Sequence, residues 1–202
     1  MARQMSSETI DYYNQHAAEY VQATVNVDMA ELYAEFLPMV KPSGHILDAG
    51  CGSGRDAWHF KQQGFSVSAF DASDEMAKIA SQRLGQHVAT SSFEALNAQS
   101  EYDAIWCCAS LLHVATQQLP AVLRRLQQAM KPGAVLYASF KYGSTDRFSN
   151  GRHFTDLDET SLCSLLSQLP ELKLVKSWQS RDQRPDRAAD IWLNALMARS
   201  PH

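Results

Sequence analysis

A glycine-rich segment that follows an apolar stretch is the part of this chain best suited to bind a ligand. Residues 46 to 56 read Ile-Leu-Asp-Ala-Gly-Cys-Gly-Ser-Gly-Arg-Asp. Three alternating glycines permit a sharp turn and a close approach of a ligand to the backbone, and Asp48 places a carboxylate at the end of the predicted strand. These residue types predict a cofactor-binding loop.

The spacing of the glycines restricts the ligand. A dinucleotide-binding loop reads Gly-x-Gly-x-x-Gly, and its third glycine would fall here at Arg55 or Ala57. A Walker loop would continue with Gly-Lys-Ser/Thr, which is absent from this segment. The loop therefore disfavours a pyrophosphate ligand and, with Asp48 ahead of it, favours a ligand with cationic groups.

Three later segments continue the pattern of strands whose ends carry candidate ligand contacts. Residues 65 to 71 alternate in polarity and end at Asp71, about 20 residues after the loop, where a ribose-binding carboxylate is expected. Residues 102 to 114 read as a strand and the loop after it. Residues 126 to 140 read as a helix, a Lys-Pro-Gly stop and a further strand.

Together these segments, from Gly44 to Phe140, resemble the motifs of class I S-adenosylmethionine-dependent methyltransferases, including short bacterial members such as the tellurite-resistance type. The resemblance implies S-adenosylmethionine as the cofactor, since that ligand carries an ammonium and a sulfonium and no phosphate. It also implies an α/β fold that is Rossmann-like and doubly wound. Its mostly parallel seven-stranded sheet would have helices on both faces and an antiparallel last strand.

The resemblance further implies which residues hold the cofactor. The glycine loop would lie under the methionine moiety with Asp48 near its ammonium group, and Asp71 would accept hydrogen bonds from the ribose hydroxyls. Ser92 would close the adenine edge at a position where the family often has an acid. The whole predicted set is Tyr13, Asp48, Gly50, Cys51, Gly52, Gly54, Asp71, Ala72, Met76, Ser92, Phe93, Cys108 and Ala109.

His113 is the candidate catalytic base. It follows the fourth predicted strand, at the edge of the sheet where open α/β folds bind ligands, and an imidazole can take a proton near neutral pH. The alternative is that His113 only caps or packs the start of a helix. Cys107 and Cys108 are interpreted as strand packing rather than as nucleophiles.

Cationic side chains in the loops after residue 140 predict how an acceptor is held. Guanidinium and ammonium groups bind carboxylates or phosphates, so these residues suggest a small anionic acceptor. The alternative is that they pair with acids of the same loops, namely Asp182, Asp186 and Asp190. The predicted substrate-binding residues are Lys141, Arg147, Arg152, Arg184 and Arg187.

The elements that position these residues alternate between strand and helix, which predicts a parallel sheet covered on both faces. Strands are expected near 45–49, 66–70, 87–91, 103–108 and 134–140, with closing strands at 172–179 and 191–199. Helices are expected at 7–21, 28–37, 54–63, 73–84, 118–130 and 155–169. In the first helix Tyr13, Ala17 and Tyr20 resemble the family's lid pattern, with an ordinary amphipathic helix as the alternative.

Composition sets the broad class. The 202 residues suit one domain, divided into a helical lid over 1–40, a cofactor-binding core over 44–140, and substrate-side loops with a closing hairpin over 141–202. The net charge of -4 disfavours nucleic acid as a partner. The four cysteines suggest neither a metal site nor disulfides, and the start lacks a signal peptide. A cytoplasmic enzyme with a small-molecule acceptor, no metal and no membrane contact is expected, and no oligomeric state follows.

Two other functions stay open at this level. The chain could methylate a modified tRNA base, although its acidic balance argues against that. It could also be a non-catalytic module that binds S-adenosylmethionine and keeps the fold as a sensor or subunit.

Overall fold

The structure is a computed structural model that describes residues 7–184 and 187–201. The described residues contain nine strands and seven α-helices. The helices are α1 (Ser7–Gln15), α2 (Ala17–Thr24), α3 (Ala30–Phe36), α4 (Arg55–Gln62), α5 (Asp74–Leu84), α6 (Leu119–Ala129) and α7 (Glu159–Leu166). The strands are β1 (His45–Ala49), β2 (Ser66–Asp71), β3 (Ala89–Thr90), β4 (Tyr102–Cys107), β5 (Met130–Lys141), β6 (Asp146–Ser149), β7 (Arg152–Thr155), β8 (Leu172–Arg181) and β9 (Ile191–Arg199).

Seven of the strands form one sheet in the order β3-β2-β1-β4-β5-β9-β8. Strands β3, β2, β1, β4 and β5 run parallel to one another, and β9 runs antiparallel to both β5 and β8. This arrangement confirms the predicted fold. It also brings the carboxyl ends of β1, β2, β4 and β5 to one edge of the sheet, where ligands of open α/β folds bind.

Both faces of the sheet are covered because successive side chains of a buried strand point to opposite sides. Ile105 packs with residues of α6 and α7, whereas the next residue, Trp106, packs with α3 and α4 through Phe36 and Phe60. Trp106 is fully buried and stacks on Tyr137 of β5 at a ring-centroid distance of 4.0 Å. In the described part of the chain, no helix has the length and apolarity needed to cross a membrane.

The N-terminal helix is broken where one continuous helix was predicted. His16 has φ -114° and ψ 18°, which separates α1 from α2. Its ring stacks on Tyr12 at 4.4 Å, and its Nδ1 hydrogen-bonds the Tyr12 carbonyl oxygen at 2.9 Å. These side-chain contacts accompany the non-helical backbone conformation of His16, at which one helix ends and the next begins.

Residues 141–155, expected as loops leading into a helix, contain an additional hairpin. Strands β6 and β7 pair antiparallel, from Asp146 opposite Thr155 to Ser149 opposite Arg152. The predicted helix over 155–169 therefore begins only at Glu159, after the Asp158 carboxylate accepts from the Ser161 N–H at 2.7 Å. The hairpin lies against the turn after β4 and against α1.

Candidate active site

A cavity of about 240 Å³ opens at the carboxyl edge of the sheet. The glycine loop after β1, the ends of β2, β4 and β5, the helices α1 and α2 and the connection between β8 and β9 contribute to its walls. The structure brings together at this cavity 14 of the 19 residues predicted for the site, and the five that do not line it are Gly54, Lys141, Arg147, Arg152 and Arg187. The 14 at the cavity are Tyr13, Asp48, Gly50, Cys51, Gly52, Asp71, Ala72, Met76, Ser92, Phe93, Cys108, Ala109, His113 and Arg184.

The glycine loop needs its first and last glycines for packing. Gly50 has φ +75°, and a Cβ built on it would stand 2.5 Å from the Cβ of Ser110. Gly54 has φ +73°, and a Cβ built on it would stand 3.1 Å from the Cβ of Ala80 in α5. It precedes the first residue of α4 and does not line the cavity. A side chain at either position would add a steric conflict to a left-handed backbone conformation.

Asp71 clamps the glycine loop to the end of β2. Its Oδ2 accepts from the Gly52 N–H at 2.8 Å, and its Oδ1 accepts from the Ser73 N–H at 2.9 Å. Burial raises the pKa of this carboxyl group, while the backbone hydrogen bonds act to lower it. The carboxylate is therefore held in one orientation at the wall of the cavity.

Two more carboxylates lie in the floor of the cavity. Asp48 accepts from the Ala57 N–H at 3.0 Å, and burial, together with the nearby Asp56, raises its pKa well above the usual range. Asp56 accepts from the Tyr33 hydroxyl at 2.6 Å and from the Trp106 indole N–H at 2.8 Å. Burial would raise the pKa of Asp56, but the adjoining Arg55 guanidinium and these hydrogen bonds hold it low.

Sequence reasoning missed the Arg55–Asp56 pair as part of the site. The two side chains are joined by hydrogen bonds of 2.6 and 3.0 Å, and Arg55 also donates to the Thr24 carbonyl oxygen of α2. An acid and a base directly after Gly54 were the available signal, because residues in the first turn of α4 face the end of β1.

His113 belongs to a series of hydrogen bonds that joins α1, the turn after β4 and β7. Its Nδ1 lies 2.7 Å from the His153 carbonyl oxygen, and its Nε2 lies 2.8 Å from the Tyr13 hydroxyl. A carbonyl only accepts, so Nδ1 carries the proton and Nε2 accepts from Tyr13. The His153 N–H in turn donates to Thr9, one turn before Tyr13 on α1, at 3.1 Å. Both imidazole nitrogens are therefore engaged.

The neutral state of His113 predicts an acid-dependent loss of stability. Burial lowers the pKa of His113 from 6.5 to about 4. The unfolded chain takes up this proton near pH 6.5 and the folded chain only near pH 4. The contribution of His113 is therefore present above pH 6.5 and is lost as the pH falls toward 4, by about 3 kcal/mol.

Urea unfolding at pH 7 and at pH 4.5 measures this effect. In His113→Gln the difference in unfolding free energy between the two pH values should be smaller than in the wild type. Replacing the exposed His87 by Gln removes an imidazole elsewhere and should leave that difference unchanged. An equal acid dependence in the wild type and in His113→Gln would contradict the assignment.

Three of the five predicted substrate cations form ion pairs around the β8–β9 connection. Arg184 lines the cavity, and its guanidinium meets the Asp182 carboxylate at 2.6 and 2.9 Å. Lys141 contacts Asp182 at 3.2 Å and Asp190 at 2.8 Å, and Arg187 lies 3.8 Å from Asp190. Lys141 and Arg187 do not line the cavity. These three cations therefore pair with acids of the same loops, which was the alternative to an anion-binding cluster. Of the acids named for that alternative, Asp186 lies outside the described residues.

The other two cations lie on the β6–β7 hairpin, and neither lines the cavity. Arg147 pairs with Asp156 and lies over the Phe154 ring at 4.5 Å. Arg152 is 9% exposed and lies over the Tyr12 ring at 4.3 Å. Of the five predicted cations, only Arg184 therefore lines the cavity.

The far wall of the cavity is aromatic and hydrogen-bonded, and sequence reasoning did not identify it. The Tyr137 hydroxyl donates to the side-chain Oδ1 of Asn194 at 2.7 Å, and Nδ2 of the same side chain donates to the Ser180 hydroxyl at 2.9 Å. Tyr20 and Trp192 contribute rings to the same cavity. An asparagine within the apolar strand from 191 to 199 was the available signal, since a buried amide needs partners.

Comparison with known proteins gives a consistent family. The sequence matches the family model described as "Methyltransferase domain" over residues 19–184. It is 27% identical over 176 residues to a malonyl-[acyl-carrier protein] O-methyltransferase of Enterobacter lignolyticus, covering 86% of this chain and 57% of the relative. It is 29% identical over 105 residues to a ubiquinone biosynthesis O-methyltransferase of Xanthomonas campestris, covering 48% of this chain and 43% of the relative. The chain thus spans about half the length of these curated relatives.

The fold has close structural counterparts. The crystal structure of a 1,6-didemethyltoxoflavin-N1-methyltransferase from Burkholderia thailandensis superimposes with a TM-score of 0.72 at 22% sequence identity. The match covers 99% of this chain and 92% of that chain. A TehB-like methyltransferase of Corynebacterium glutamicum gives a TM-score of 0.70 at 17% identity, covering 92% and 99% of the two chains.

Proposed function

Since the chain belongs to the methyltransferase-domain family, which it matches over residues 19–184, we propose that it transfers a methyl group from S-adenosylmethionine to a small anionic acceptor. The observation that carries the proposal is the meeting of the glycine loop and the Asp71 carboxylate at one cavity. A loop without phosphate-binding spacing and a strand-end acid suit a cofactor with a ribose and cationic groups.

The residues present fit that cofactor. A Cβ built on Gly52 would meet no heavy atom within 4 Å, so the loop leaves open space at the cavity. Asp48 would face the ammonium group and Asp71 the ribose hydroxyls. The adenine would lie between Ala72, Met76, Ser92 and Phe93, while Tyr13, Cys51, Cys108 and Ala109 complete the walls.

The acceptor is proposed to arrive already ionised. S-adenosylmethionine supplies, when bound, an electrophilic methyl group on a sulfonium. His113 has both nitrogens engaged, and burial lowers its pKa to about 4, which makes it a weak base. We therefore propose that it orients Tyr13 and does not remove a proton. A carboxylate needs no base at neutral pH because its pKa lies near 4. Two curated relatives are named O-methyltransferases, which supports an oxygen acceptor.

The three segments of the chain would then have different tasks. The described residues 7–40 would cover the site, and residues 44–140 would hold the cofactor. Arg184 and Trp192 of the third segment would hold the acceptor together with Tyr137 of β5. Apolar walls with a few polar groups suit a small organic molecule. A tRNA base is a poorer fit because the chain carries a net charge of -4.

Isothermal titration calorimetry tests the first step. The purified chain should bind both S-adenosylmethionine and S-adenosylhomocysteine, with NAD⁺ as a control that should give no heat of binding. No binding of either methionine-derived ligand would defeat the proposal. A screen of small carboxylic acids, each paired with its amide, should then give methyl-group turnover with the acids alone, whereas turnover of the amides would overturn the anionic acceptor.

A further inference from the structure

Arg152 differs from the other cations of the C-terminal segment in its partner. Lys141, Arg147, Arg184 and Arg187 each lie within 4 Å of a carboxylate. Within the described ranges, Arg152 has no such ion pair, although it is only 9% exposed. A buried charge is usually paired, since removing it from water is costly.

Aromatic rings take the place of a carboxylate around Arg152. The guanidinium carbon lies 4.3 Å from the Tyr12 ring centroid, 5.2 Å from Phe154 and 5.9 Å from Tyr13. The Nε atom is buried and has no hydrogen-bond partner among the described residues. Ring faces attract a cation, but they offer an N–H donor only a weak acceptor. A hydrogen bond to the Tyr13 hydroxyl uses part of the donor capacity of the guanidinium, and the unpartnered Nε is left to bind an anion.

The position of Arg152 is fixed beside the cavity. The backbone of the next residue, His153, makes two hydrogen bonds. Its N–H donates to Thr9, and its carbonyl oxygen accepts from His113 Nδ1. Tyr13, whose ring lies by the guanidinium, lines the cavity together with His113. Only this layer of α1 and the turn after β4 separates Arg152 from the ligand space.

The guanidinium also acts on the groups in that layer. Its charge lowers the pKa of Tyr13 and of His113, although burial is the larger influence on both. His113 is neutral, so it adds no second positive charge beside Arg152. The positive charge of Arg152, which has no carboxylate partner among the described residues, favours an anion over a cation at this corner.

We propose that Arg152 is the carboxylate-binding residue of the site, reached at the corner formed by Tyr13 and His113. This inference rests on the proposed function, which brings two carboxylates to the cavity, one on the amino acid part of the cofactor and one on the acceptor. A guanidinium can bind either one bidentately. Tyr12 and Tyr13, carried on α1, would then move from the guanidinium to admit the anion.

Arg152→Met tests the proposal because methionine keeps the packing against the rings and removes the charge. The melting temperature of the ligand-free variant should equal or exceed that of the wild type, since no ion pair is lost. Arg147→Met is the comparison variant. It leaves the Asp156 carboxylate without its ion-pair partner and should therefore lower the melting temperature. Arg124→Met, at an exposed position of α6, controls for the loss of an arginine.

Two binding measurements separate the sources of the carboxylate. If Arg152 binds the cofactor, Arg152→Met should weaken S-adenosylhomocysteine about 10-fold or more and leave 5′-methylthioadenosine, which lacks the amino acid part, unchanged. If it binds the acceptor, S-adenosylhomocysteine should bind normally, but benzoate and malonate should no longer bind to the complex. Arg152→Lys should recover part of whichever affinity is lost.

The proposal is overturned if Arg152→Met changes neither the affinity for S-adenosylhomocysteine nor the binding of the carboxylate probes. A fall in melting temperature with all affinities retained would likewise assign Arg152 a structural role. Failure of the wild type to bind S-adenosylhomocysteine at all is a different result, which defeats the proposed function itself.

Discussion

Gly50→Ala should unfold more readily than the wild type and should lose cofactor binding. A non-glycine residue in the left-handed region costs about 1 to 2 kcal/mol, and overpacking a tight site adds about 1 to 3 kcal/mol. The new methyl group would stand 2.5 Å from the Cβ of Ser110, whose hydroxyl is tied to the Ala49 carbonyl oxygen. We expect a loss of about 3 kcal/mol in the free energy of unfolding, measured with urea.

Gly85→Ala is the matched control for this substitution. Gly85 also has a positive φ, of +61°, but a Cβ there would meet no heavy atom within 4 Å. It follows α5, whereas Gly50 and Cys51 donate their N–H groups to the Phe70 carbonyl oxygen inside the site. Gly85→Ala should show the backbone strain alone and keep its affinity for S-adenosylhomocysteine. Equal losses in both variants would remove the Ser110 conflict from the explanation.

Asp71→Asn should weaken S-adenosylmethionine binding by about 10- to 100-fold, the usual worth of hydrogen bonds to a charged group. Both carboxylate oxygens accept from backbone N–H groups, of Gly52 and Ser73. An amide presents one oxygen and one NH₂, so one of these backbone donors would face another donor. The variant should therefore disturb the glycine loop as well as lose the acceptor for the ribose hydroxyls.

Calorimetry on Asp71→Asn, with Asp74→Asn as the control, measures this effect. Asp74 is three residues away, exposed, and in the first turn of α5. Its amide variant makes the same change in net charge without touching the cavity. Wild-type affinity in Asp71→Asn would show that the carboxylate does not contribute to cofactor binding.

Much of the fold was predictable because its signals are local. The apolar strands 45–49 and 191–199 were predicted with the bounds observed, since buried strands need consecutive apolar residues and end at turn formers. The helix predicted over 73–84 begins one residue later, because Ser73 is its cap and accepts from the Met76 N–H at 3.2 Å. The glycine loop could be predicted for the same reason, since its conformation depends on residues adjacent in the chain.

The elements that were missed depend on contacts between distant residues. The β6–β7 hairpin has short strands, and it lies on α1 and the turn after β4. Its position depends on the bond from the His153 N–H to Thr9, which joins residues 144 positions apart. The bond between Tyr13 and His113, which engages the second nitrogen of the predicted base, spans 100 positions. No local pattern encodes either contact.

By itself, the sequence determined the fold class, the glycine loop and the acid at the end of β2, because backbone conformation and hydrophobic periodicity act over a few neighbouring residues. The tertiary structure alone decided which cationic side chains form ion pairs with carboxylates. Arg184 and Lys141 meet acids, whereas Arg152 meets aromatic rings. Electrostatic energy depends on distance and burial rather than on position in the chain. The same five cations could therefore be read from the sequence as one cluster, and only their placement separates them.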